Sequence, residues 1–144
     1  MLENTGAASP SETVWRREIP APGDLDSPII DLVHLARQCQ GDAGLEEELL
    51  GLFRRLAPSL VAQLSDPQMR LESKANVAHK LRGSALAIGA ERVARAAEAI
   101  ETAARSRSRG DGPDEEPTEE VSLAVAALIE AASEAVAQID RLLD

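Results

Sequence analysis

His79 is one of two histidines in a chain of 144 residues, and it stands three positions before Arg82 and four before Gly83. Its surroundings, residues 75–90, read as most of one helix, with Val77, Leu81, Ser84 and Ile88 at the i, i+4, i+7, i+11 spacing of a buried stripe. At about 100° per residue His79 falls nearly opposite that stripe, and Ala75, Asn76, Arg82, Gly83 and Leu86 are expected on the same outer face. An imidazole is nucleophilic near neutral pH, and either ring nitrogen can accept a phosphoryl group and pass it on. Arg82, one turn along, can lie beside the ring and neutralise phosphate charge. Gly83 removes a Cβ from the approach path; glycine inside an exposed helix costs about 1 kcal/mol against alanine, so a steric use accounts for it.

The helix expected to hold these residues runs from Pro67 to about Ile88, opened by Asp66 as cap and Pro67 in the first turn, and closed by Gly89. Arg70, Lys74, Lys80 and Arg82 against Glu72 make it basic. The rest of the chain is acidic, with 15 basic against 25 acidic residues and a formal charge of −10. A basic strip around an outward histidine suits a phosphoryl group and an acidic partner surface.

Further helices are expected around it. Residues 29–38 form a short one, capped by Ser27 with Pro28 in its first turn and with Ile30, Val33 and Leu35 as contacts. Residues 45–65 follow, with a stripe of Leu45, Leu49, Leu52, Phe53, Leu56, Leu60 and Leu64 and a local disturbance at Pro58. Residues 91–106 present Val93, Ala96, Ala97, Ile100, Ala103 and Ala104, a face small enough for close approach. After a polar loop over 107–117, Thr118 caps a last helix to about Leu143, with Val121, Val125, Leu128, Ala132, Ala135, Ile139 and Leu142 facing inward. Residues 1–27, rich in proline and small polar residues, read as a disordered tail in which Trp15 and Ile19 stand out. The expected architecture is all-α: an antiparallel four-helix bundle over residues 28–144 with an additional short N-terminal helix.

Composition narrows the function. The acidic balance argues against nucleic-acid binding and a polybasic membrane anchor. No stretch is read as long enough to span a membrane, and no signal peptide opens the chain. Cys39 is the only cysteine, so no internal disulfide forms, which fits a reducing cytoplasm. With one Phe, one Trp and no Tyr, the core must be aliphatic. His34 reads as a partly exposed packing residue and Cys39 as a small core residue; no metal-ligand spacing occurs. Arg105, Arg107 and Arg109 read as charges complementing a helix end, and the acidic run over 111–120 as a solvated loop.

The run His79-Lys80-Leu81-Arg82-Gly83-Ser84, followed by Ile88-Gly89-Ala90, resembles the signature of histidine-containing phosphotransfer (HPt) domains. The likeness extends from about Ile30 to about Arg105, through Leu49-Leu50-Gly51-Leu52-Phe53 before the motif and Ala96-Ala97-Glu98-Ala99-Ile100-Glu101 after it. Lysine is common in the family where Arg82 stands; arginine keeps the charge on a wider, planar head. The resemblance implies a phosphocarrier in a two-component phosphorelay, with a phosphoryl group moving between receiver-domain aspartates by way of His79, on its Nε2. Arg82 would neutralise phosphate charge, and Ala75, Asn76, Lys80, Gly83 and Leu86 would form the docking surface. The implied partners are response-regulator receiver domains and a (hybrid) histidine kinase. The receiver brings Mg²⁺, and this chain binds no cofactor of its own. Autophosphorylation from ATP is not expected, since there is no Gly-rich phosphate loop and no room for an ATPase domain. The rival readings are a helical adaptor without phosphoryl chemistry, which has no use for the His–Arg–Gly triplet, and a dimeric bundle resembling a histidine-kinase dimerisation domain. Five expected helices in one chain favour a self-contained cytoplasmic monomer over the latter.

Overall fold

The computed structural model describes residues 28–108 and 119–144. The expected tail over 1–27 with the Ser27 cap, most of the polar loop with Arg109, and the Thr118 cap lie outside the described residues. Among the described residues the chain forms five helices and no strand: α1 Leu32–Gln38, α2 Ala43–Leu64, α3 Leu71–Ala87, α4 Glu91–Ser108 and α5 Glu119–Leu143. Helix α2 packs on α3, α3 on α4, α4 on α5 and α5 back on α2, closing a four-helix ring. The short links at 65–70 and 88–90 make consecutive helices antiparallel. The expected four-helix bundle with a short N-terminal helix is thus the observed fold.

Two helices start where an aspartate side chain satisfies an open backbone N–H group. Asp31 caps α1, its carboxylate accepting from His34 N at 3.1 Å, so α1 begins three residues later than the Pro28 reading expects. Asp42 caps α2 in the same way through Leu45 N. Helix α2 runs unbroken through the exposed Pro58. Asp66 and Pro67 do not open α3. They occupy the first two positions of a turn, which suits Asp and Pro equally well; Asp66 accepts from Gln68 N through its side chain and from Met69 N through its carbonyl, and α3 starts at Leu71.

The core is aliphatic around Phe53, with Leu35, Leu64, Leu81, Ile88, Ile100, Leu128 and Ile139 fully enclosed. Helix α4 contributes Val93, Ala94, Ala97, Ile100, Ala103 and Ala104, close to expectation, and α5 contributes Val121, Leu128, Ala132, Ala135 and Ile139. Several expected core positions face water instead: Val33, Leu45, Leu52 and Leu142 are exposed, while Leu50 takes the buried place on α2. Helix α5 also corrects the reading that no stretch could span a membrane, being long and apolar enough by length and composition alone. One side of it lies in the bundle core.

Lys74 is a second correction. It is 3% exposed and does not belong to an outer basic strip. Its ammonium donates to the carbonyls of Leu64, 2.8 Å, and Asp66, 2.9 Å, capping the end of α2 from within α3. Burial pushes its pKa below the ordinary 10.5, partly opposed by the nearby Asp66.

Candidate functional site

Helix α3 is held at both ends, and that fixes where His79 points. At its start Lys74 ties it to α2. At its end Gly89 takes φ +76°, with Gly89 N donating to Leu86 O and Ala90 N to Ala85 O, the paired bonds of a glycine C-terminal cap. A Cβ on Gly89 would lie 2.7 Å from Asp31 O, because Asp31 N donates to Gly89 O where α1 docks on this turn. His34 reinforces the junction, its Nε2–H donating to Leu86 O at 2.9 Å. This is a structural role, as its sequence context suggested. Cys39 is enclosed nearby, its thiol pushed up by burial and then by Glu46 and Asp42, and so kept protonated and quiet.

The buried face of α3 is Leu71, Lys74, Ala75, Ala78, Leu81 and Ala85, rotated from the expected stripe; Val77 and Ser84 are half-buried. Ala75 is therefore not a docking residue. It is wholly enclosed with Leu71, Ala103, Ala104 and Val121 in a small cluster at one end of the bundle. The rotation brings His79 from the far side of the helix to the flank that faces α4, with its side chain still 64% exposed.

There His79 meets a residue to which sequence reasoning assigned no role. Its Nδ1 lies 3.1 Å and 3.3 Å from the two carboxylate oxygens of Glu101 on α4. A carboxylate accepts, so Nδ1 carries the hydrogen and Nε2 holds the free lone pair. Nε2 has no hydrogen-bond partner among the described residues. Glu101, 15% exposed, is also paired with Arg105 Nε at 3.3 Å, one turn along α4, and more loosely with Arg82 Nη1 at 3.7 Å. Arg105 Nη2 donates to Asn76 Oδ1 at 3.3 Å, tying the two helices together beside the histidine. Arg82, Glu98, Glu101, Thr102, Arg105 and Ser106 line one open groove of about 320 Å³.

Of the other expected site residues, Asn76, Lys80, Gly83 and Leu86 are exposed on α3. A Cβ built on Gly83 meets nothing within 4 Å, so no packing demands glycine there. Arg82 lies on the same flank as His79, although its partner here is Glu101. Among the described residues no group of three or more His, Cys, Asp or Glu side chains could hold a metal ion. The signals for the two missed residues were faint. Glu101 and Arg105 form an ordinary i, i+4 pair on the next helix, and Glu101 closes the stretch that resembles the HPt family.

An antiparallel bundle that presents a hydrogen-bonded imidazole to solvent, with a glycine and an arginine one turn on, has the make-up of a phosphoryl-carrying module. The family model of the Hpt domain matches residues 47–143. The chain belongs to this family, and its role is phosphotransfer in two-component signalling, where HPt domains work with receiver domains and histidine kinases. Among solved structures it is similar to the histidine phosphotransferase ShpA from Caulobacter crescentus, at 27% identity over 81% of this chain and 100% of that one, with a TM-score of 0.49. No curated protein matches it significantly.

Proposed function

We propose that His79 is the phosphoacceptor and that Nε2 is the reacting atom. The observation that carries this reading is the Nδ1–Glu101 contact on an exposed ring, which leaves the Nε2 lone pair outward. The Nε2 lone pair attacks the phosphorus of a receiver's aspartyl phosphate. An N–P bond forms, the acyl P–O bond breaks, and its electron pair leaves on the aspartate carboxylate. The ring, still protonated on Nδ1, becomes cationic, and Glu101 stabilises that charge as it develops. Passage to a second receiver reverses each step. Arg82, which pairs loosely with the same Glu101, neutralises charge on the phosphoryl oxygens, and the receiver supplies Mg²⁺ and its own acidic pocket. Asn76, Lys80, Gly83 and Leu86 form the surface over which the receiver approaches. The chain acts as a cytoplasmic monomer, without ATP-dependent kinase activity and without nucleic-acid or membrane partners.

The test is exchange of radiolabel with a receiver domain phosphorylated by acetyl phosphate and Mg²⁺. Wild type is expected to take the label in an acid-labile form. His79→Gln is expected to take none while keeping its helical circular dichroism. Label retained on the variant would place the acceptor elsewhere. Wild type that binds receivers yet never takes label would favour the helical adaptor.

A further inference from the structure

Glu101 faces a conflict if the proposed phosphoacceptor reading holds. The contact that orients His79 also draws in Arg82, the cation wanted by the phosphoryl group on the other nitrogen. The geometry points to Arg105 as the positioning residue that resolves the conflict: it holds Glu101 by itself, so that Arg82 can leave for the phosphoryl oxygens. Three observations carry this. The Arg105–Glu101 pair spans one turn of a single helix and is the shorter, at 3.3 Å against 3.7 Å for Arg82. Arg105 is further anchored on α3 through Asn76, whose side-chain oxygen accepts from its guanidinium. Both arginines line the same open groove of about 320 Å³, so the Arg82 head has room to turn without crossing protein.

Electrostatics makes the exchange workable. Glu101 is largely withdrawn from water, and stripping it of all cations would be costly. With Arg105 in place, the departure of Arg82 leaves the carboxylate paired with Arg105 and with the Nδ1–H of a ring that is itself becoming cationic. Without Arg105, Arg82 is the remaining arginine on Glu101 and is held there when it is needed elsewhere.

The experiment uses phosphoramidate, a small donor that requires no identified partner. Nε2 attacks its phosphorus, the P–N bond breaks, and ammonia leaves. Phosphorylation is followed by intact mass in wild type, Arg82→Ala, Arg105→Ala, Arg105→Lys and the Arg82→Ala/Arg105→Ala double variant. Arg82→Ala is expected to slow the reaction roughly tenfold when Arg105 is present, and about threefold or less when it is absent. Arg105→Lys, which keeps a cation one turn from Glu101, is expected to restore most of the wild-type rate. The ¹H–¹⁵N signal of the Arg82 side chain is expected to move on phosphorylation of wild type and to stay in place in Arg105→Ala. Additive effects of the two alanine substitutions, or an Arg82 signal that moves equally in both proteins, would overturn the role of Arg105. The phosphoacceptor reading is separately controlled by His79→Gln: loss of phosphorylation there leaves it standing whatever Arg105 does, and phosphorylation retained there would remove it.

Discussion

An imidazole that must react at one nitrogen gains from having the other tied, because the tautomer and the ring angle are then set before the donor arrives. In the proposed mechanism Glu101 does this for His79 through its contact with Nδ1, and it places a negative charge beside the ring that phosphorylation would turn cationic. Glu101→Gln keeps an acceptor for Nδ1–H but loses the charge, and is expected to slow phosphorylation by roughly tenfold, in line with about 1.5 kcal/mol for a charge-assisted hydrogen bond. Glu101→Ala is expected to slow it further, and the two rates come from intact-mass time courses with phosphoramidate. Equal rates for all three proteins would reduce Glu101 to a surface charge. At this scale His79, Arg82 and Gly83 were legible because they share one helix, where spacing alone sets proximity. Glu101 and Arg105 were not, since contact between α3 and α4 depends on how the two helices rotate against each other. That rotation was misread because the true stripe of α3 is built from Ala75, Ala78 and Ala85, which weigh little in a hydrophobic pattern.

Helix α3 is the element that has to be both rigid and bare. Its bareness is tested by Gly83→Leu, which adds a better helix former in open space. The variant is expected to gain about 0.5–1 kcal/mol in urea unfolding while losing transfer from a phosphorylated receiver through crowding. Normal transfer would show that receivers do not approach over this position. The anchoring of α3 is tested at Lys74. Lys74→Met keeps the buried stem but withdraws the donor from Leu64 and Asp66, and is expected to cost roughly 1–2 kcal/mol at neutral pH. Because the folded pKa of Lys74 lies below the unfolded one, the unfolded chain binds more protons between the two values, and the contribution of Lys74 to stability rises with pH there. Wild type is therefore expected to gain on Lys74→Met as pH climbs from neutral toward 10.5, the neutral amine still donating to both carbonyls. A difference that stays flat across that range would contradict the burial cost. The lysine had read as part of a solvent-facing strip because residue type says nothing about a carbonyl pair waiting at the end of α2.

Across the whole molecule, the bundle and its helix order were legible because four long segments keep a helical period and are joined by short or polar links. The ends of the helices were less so, since Asp66-Pro67 opens a turn as readily as a helix and Asp31 caps α1 in place of Ser27. Helix α5 would pass for a membrane span on composition, yet it lines the core through Val121, Leu128, Ala132, Ala135 and Ile139. The protein is expected to stay in the supernatant on ultracentrifugation without detergent and to sediment as a monomer; recovery only in detergent would contradict a bundle role for α5. In the proposed mechanism the fold holds one ring nitrogen of His79 on Glu101 and leaves the other free to react. The most direct measurement of that claim is ³¹P and ¹⁵N NMR of the phosphorylated protein labelled at its imidazoles. A phosphorus–nitrogen coupling to Nε2 of His79, with Nδ1 still protonated, is the predicted result; phosphorus bonded to Nδ1 of His79, or to His34, would contradict it.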